Sequence, residues 1–187
     1  MTTEMRWRIM TLQVVLVRVL AFCAGFLYWG SAFVNGMVNR ELAAQRVFFP
    51  ISGSAAIKAL PAADAAAMEQ YAGQQLTTGP QAETYADHFI AVHLTDGGQT
   101  YAQVSAASQA NPSDAELAGQ VLALFKGETP RGLLLDAFGW SQIALYAFYA
   151  AIGLTLAGLG VLAALAFEVQ ALRHSTAGVT AKRLVPV

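Results

Sequence analysis

The stretch Val19–Val38, VLAFCAGFLYWGSAFVNGMV, decides the fold. It holds no charged residue. Wound into a helix at about 1.5 Å per residue it is roughly 30 Å long, the thickness of a bilayer's hydrocarbon core. A second uncharged stretch, Ala137–Phe167, is longer than one crossing requires. Two such stretches predict an all-α membrane protein, a two-helix transmembrane hairpin carrying a small, mostly helical extracytoplasmic domain. Bulk composition agrees. Hydrophobic residues make up 56% of the 187 and charged residues only 12%, against about 25% charged in a soluble domain. The mean hydropathy is +0.46.

A cleaved signal peptide is the rival reading of the first stretch, with Arg6 and Arg8 as its basic region and Gly30-Ser31-Ala32 as a cleavage site. The apolar run exceeds the length of a signal-peptide core, so an uncleaved span is expected. Orientation follows from the basic residues beside the spans. Arg6, Arg8 and Arg18 precede the first, and Arg173, Lys182 and Arg183 follow the second. Between residues 41 and 135, four basic residues face nine acids, a net charge of −5. The expected layout is therefore a cytoplasmic or interfacial N-terminus (1–18), a first span (19–38), an extracytoplasmic helical domain (39–136), a long helix containing the second span (137–167) and a basic cytoplasmic tail (168–187), in the plasma membrane with both termini cytoplasmic.

Arg18 sets the register. If the first span begins just after it, Arg18 and Glu168 lie at the same cytoplasmic level and can pair. If Trp7 and the Tyr28-Trp29 pair mark the two interfaces instead, Arg18 falls near mid-membrane. A central arginine costs about 2.5–3.5 kcal/mol on insertion scales, which favours the first register. Small residues recur four apart: Ala21 with Gly25, Ala32 with Gly36, Gly153 with Ala157, and Gly160 with Ala164. Such pairs let helix backbones approach closely in lipid. Gly25, Gly36, Gly153 and Gly160 are thus candidate contacts between helices or with a partner, as are Arg18 and Glu168. Trp140, where the last helix meets the membrane, is a further candidate partner contact.

Proline and glycine punctuate the middle region. Val47–Ile51 reads as extended, because Pro50 disfavours helix at Phe49. Pro61 is placed to open a helix running to about Leu76. Thr78-Gly79-Pro80 starts another, which Asp96-Gly97-Gly98 ends. Thr100–Ser108 is short and ambiguous. Asn111-Pro112-Ser113-Asp114 is a strong helix start. Gly127 is expected to stop that helix, and Thr129-Pro130 to open the last one.

Motifs for chemistry are sparse. The net charge of −1 disfavours nucleic acid, whose phosphates need a basic stripe. Cys23 is the single cysteine, so no intrachain disulfide or thiolate cluster is expected. His88 and His93, five apart, lie about 140° apart around a helix and do not share a face. No P-loop, HExxH, CxxCH or EF-hand spacing occurs. No cofactor is expected. A metal-dependent enzyme using His88 and Asp87 is the weakest reading, and the chain is expected not to be an enzyme.

Three segments together carry a resemblance: Gly36–Arg46, Tyr85–His88 through Gly98–Ala102, and Lys126–Leu134. They resemble a family of small two-span actinobacterial membrane proteins with no established function, members of which often bear the automatic label "aromatic ring-opening dioxygenase LigA". The resemblance implies the two-span layout and the outside domain. Ring-opening iron chemistry needs two histidines and a carboxylate converging on one metal, whereas His88 and His93 diverge and His174 lies beyond the second span. The expected function is a non-catalytic accessory subunit of a larger membrane assembly, with a respiratory-chain supercomplex as one host. Its partners would be other integral membrane subunits and the bilayer. A membrane-anchored sensor or small-ligand binding module is the alternative.

Overall fold

The computed structural model describes residues 3–95 and 97–183, and the side chains of residues 4–95 and 97–173. Asp96, part of the expected helix stop, lies outside the described residues. So do the side chains of His174, Lys182 and Arg183 and all of residues 184–187 in the expected basic tail.

The described chain is helical. Its elements are α1 (Thr3–Gln45), α2 (Ala55–Lys58), α3 (Ala62–Glu69), α4 (Gly79–Tyr85), a π-helical turn (Ala86–Ile90), α5 (Ala91–Thr95), α6 (Tyr101–Ala110) and α7 (Ala115–Arg183). No strand forms among the described residues, only an isolated antiparallel bridge between Phe48 and Gln75. Both α1 and α7 are long and apolar enough to cross a membrane. Only 6% of the apolar window of α1, and 11% of that of α7, is buried inside the protein. A core helix of a soluble protein would be mostly buried, which these two are not.

The chain divides into two compact units, Met1–Ser31 with Leu145–Val187, and Ala32–Ala144. In the first, α1 and α7 pack through small residues. Ala24 and Ser31 are buried on α1, and Ala151 on α7. A Cβ placed on Gly158 would lie 3.8 Å from the Leu20 Cβ. Tyr28 and Phe148 meet with ring centroids 6.3 Å apart. The contact positions repeat at seven residues, 24 with 31 and 151 with 158, the spacing of knobs-into-holes packing. Outward from this seam, Phe22, Phe26 and Trp29 form an exposed aromatic row.

The second unit holds the core. Val38 and Leu42 from α1, Phe49, Ile57 and Leu60 from the next segment, Met68 of α3, and Leu76 and Ala82 form one buried cluster. Met68 is 0% exposed. An aromatic series runs through it: Phe49 packs at 5.3 Å on Tyr71 and at 5.3 Å edge-on to Tyr85, and Tyr85 packs at 5.0 Å on Phe89. Edge-to-face and tilted pairs of this kind add to area burial.

Local chemistry explains the starts of the helices. Thr78 and Gln81 form a capping box at α4, and Thr100 with Gln103 forms another at α6. These boxes satisfy otherwise orphaned N–H groups. The ambiguous stretch from Thr100 is thus a capped helix. Asp114 Oδ1 accepts from the amides of Glu116 and Leu117 at 3.0 and 3.1 Å, starting α7.

The ends differ from expectation in two places. The helix after Pro61 stops at Glu69, not Leu76. Gly73 adopts φ +72°, and the chain turns back so that Phe49 N–H donates to Gln74 O and Leu76 N–H to Val47 O, both at 2.9 Å. Burying Leu76 against the core replaces the helical bonds forgone. Nor do Gly127 and Pro130 divide α7, which runs through both. A Cβ on Gly127 would collide with the Leu94 side chain, so this glycine permits a close approach rather than ending a helix. Pro130 removes one helical hydrogen bond, while the neighbouring Thr129 Oγ1 donates to Phe125 O at 2.8 Å.

Candidate functional site

The second unit contains a cleft of about 450 Å³, within the range of small-molecule sites. Four segments build it. The last turns of α1 contribute Met37, Val38, Leu42 and, at the polar positions, Glu41 and Gln45. The clipped loops add Val47 and Leu76, and Tyr85 and Ile90 form a side wall. The opposite wall is α7, with Pro130, Leu133, Leu134, Ala137 and Trp140. No basic residue lines it. Burial raises the Tyr85 phenol above its ordinary pKa.

The ionisable residues of the same unit pair structurally. The π turn, which opens the helix by one residue per turn, holds Asp87 and His88. His88 Nδ1 lies 2.7 Å from Asp64 Oδ1, tying the turn to α3. Arg131 donates to Asp87 at 2.9 Å, tying it to α7. That hydrogen bond, with the charges of Asp87 and Glu128, raises the Arg131 pKa. His93 Nδ1 lies 2.6 Å from Phe89 O. Glu69 Oε1 accepts from Gly53 N–H at 2.9 Å. That bond and one from Ser52 lower its pKa. Asp87 and His88 thus serve two different partners rather than one centre. Among the described residues no group of three or more His, Cys, Asp or Glu is arranged to hold a metal ion.

The residues singled out from sequence fall into three sets. Trp140 lines the cleft and is 51% exposed. Gly25 lines a second, apolar groove of about 580 Å³ between α1 and α7 in the first unit. Gly153 and Gly160 have nothing within 4 Å of an added Cβ, and Gly36 has only the Arg40 guanidinium at 3.5 Å. Gly158 of α7 faces Leu20 of α1 and stands seven residues from Ala151, a spacing that the four-residue pattern does not mark. Arg18 and Glu168 form no ion pair with each other. Arg18 is exposed and Glu168 half-buried.

The cleft itself had no sequence signal, because its walls come from four segments spread over residues 37–140. The one available hint was Glu41, a carboxylate three residues beyond the apolar stretch that ends at Val38. Comparison with family models, curated proteins and solved structures finds no match to this chain.

Proposed function

We propose that this chain is a non-catalytic accessory subunit of a larger assembly in the plasma membrane, with both termini cytoplasmic and residues about 40–136 outside. A respiratory-chain supercomplex is one host that suits such a subunit. The basic ends and the acidic middle support this orientation.

The observation that carries the reading is an exposed apolar stripe on α7. Leu122 and Trp140 are five helical turns apart, and Leu133 falls about 20° from their line. Leu133 is 65% exposed and Leu122 and Trp140 about half. Asp136 and Lys126 of the same helix, both exposed, flank it about 40° to either side. The partner face that fits is an apolar helix of another integral membrane subunit, with one basic and one acidic side chain at its edges. Apolar anchors ringed by charge are the usual composition of such contacts.

Purification at native abundance in a gentle detergent, followed by mass spectrometry, tests the proposal. The expected result is stoichiometric recovery of one membrane assembly from the wild type and its loss from Leu133→Glu. A protein that migrates alone as a monomer, or a Leu133→Glu variant that keeps the same companions, overturns it.

The cleft favours a second reading, a membrane-anchored extracytoplasmic module that binds a small ligand. A saturable, ligand-dependent rise in the melting temperature of the full chain would support it over the subunit reading.

A further inference from the structure

We propose that the cleft of the Ala32–Ala144 unit holds the apolar chain of a bilayer lipid whose ammonium headgroup docks on Glu41. The inference rests on the second reading above and gives its ligand a chemistry.

Three observations select the occupant. The first is continuity. Met37 and Val38, which line the cleft, are the last residues of the uncharged stretch of α1, and Glu41 lines the cleft one turn further on. The cleft thus opens where the uncharged stretch of α1 ends, and the acid nearest that end lines it.

The second is charge. Glu41 is exposed, and none of the ion pairs of the described residues involves it. Trp140 also lines the cleft, and an indole face attracts a cation. With no lysine, arginine or histidine in the lining, an anionic headgroup would face a carboxylate with no counter-charge.

The third is the balance of surfaces. The walls are aliphatic and aromatic except for Glu41, Gln45 and the Tyr85 phenol. A small polar metabolite would leave its hydrogen-bonding groups unmatched there. A lipid whose chain lies on these walls and whose terminal ammonium reaches Glu41, with its phosphate left in water outside the lining, matches both the walls and the rim.

Phosphatidylethanolamine is the probe. The full chain is reconstituted in nanodiscs of mixed phosphatidylethanolamine and phosphatidylglycerol, extracted in gentle detergent, and the retained lipids are counted by native mass spectrometry. The expected result is enrichment of phosphatidylethanolamine over the bulk by about two- to fivefold, the size of one exposed ion pair. Glu41→Gln should abolish the enrichment while lipid is still retained, and Glu41→Lys should shift it toward phosphatidylglycerol. Ala137→Trp, which fills the cleft, should remove the retained lipid. If that variant does not fold, Gln45→Trp at an exposed lining position replaces it.

Retention with no headgroup preference, or a preference that Glu41→Gln leaves intact, overturns the headgroup assignment and leaves the binding-module reading standing. Unchanged retention in a folded, cleft-filled variant overturns both.

Discussion

Two glycines of the second unit should respond oppositely to the same change. Gly79, at the start of α4, is covered by α7. A Cβ there would collide with both side-chain atoms of Ser141 and lie 3.4 Å from the Phe138 Cα. The Ser141 Cβ is fixed to the helix backbone and Phe138 is backbone itself, so neither can swing aside. Overpacking of this kind costs about 1–3 kcal/mol. Replacing glycine in a helix returns at most about 1 kcal/mol of propensity, less in a first turn. Gly79→Ala should therefore destabilise the unit by about 0.5–2 kcal/mol. Gly127 also meets an obstacle, but it is the far end of the Leu94 side chain, which can turn at a cost of about 0.5–1.5 kcal/mol. In the interior of α7 the propensity gain is close to its full value, so Gly127→Ala should be within about 0.5 kcal/mol of neutral. Reversible unfolding of the full chain in detergent, followed by tryptophan fluorescence in a Trp7→Phe, Trp29→Phe background that leaves Trp140 as the reporter, measures both. Ser141→Gly in the Gly79→Ala background removes the obstacle and should show a favourable coupling of at least about 1 kcal/mol in a double-mutant cycle. Equal effects of the two alanines, or additivity of the pair, would refute the packing argument.

Three further outcomes are expected. Met68→Ala, at the centre of the buried cluster, should lower stability by about 2–5 kcal/mol through lost burial and a residual cavity, read in the same unfolding experiment. Asp87→Asn leaves Arg131 without its principal partner, and Arg131 Nε already has none. Because the side chains are 31% and 40% exposed, solvent screening limits the loss to about 0.5–1.5 kcal/mol, and Arg131→Gln should add little to it. The Glu69 carboxylate, held below the ordinary value of 4.5 by the Gly53 amide and Ser52, stabilises the fold above that pH. Its contribution is lost as pH falls through the depressed folded value, so Glu69→Gln should flatten the acid limb of stability, and an NMR titration should place its midpoint below that of an exposed glutamate.

How much of this was legible in the sequence depends on whether a feature is local. The capped starts at Thr78 and Asp114 need only neighbouring residues, and the chain spells them out. The two long apolar helices follow from uninterrupted runs. The misread positions are those where distant residues decide. Gly73 takes its left-handed turn because residues 47–50 pair with 73–76, so the stretch from Pro61 to Leu76, expected as one helix, is divided between a helix and a returning loop. Gly127 and Pro130 are helix breakers by local preference, but the approach of Leu94 and the continuing run of α7 outweigh that preference. On α1 and α7 the four-residue spacing of small residues marks Gly25, Gly153 and Gly160, while the packed seam repeats at seven through Ala24, Ser31, Ala151 and Gly158. The destinations of Asp87 and His88 turn on the π-helical geometry, which shifts every direction an ordinary helix would assign.

The buried cluster of the second unit has a bearing on biosynthesis. Its members lie between Val38 and Ala82, in the first half of the chain, and the backbone bonds that tie them, 49 with 74 and 47 with 76, close loops that lie wholly within that half. Loop-closure entropy rises only slowly with length, so these contacts do not wait for the rest of the chain. The nucleus of the unit can therefore condense while α7 is still being translated. The late-arriving helix then meets a preformed surface at Gly79, Leu94 and Asp87 instead of having to organise one. Truncated nascent chains ending near residue 100 should already protect Met68 from oxidation.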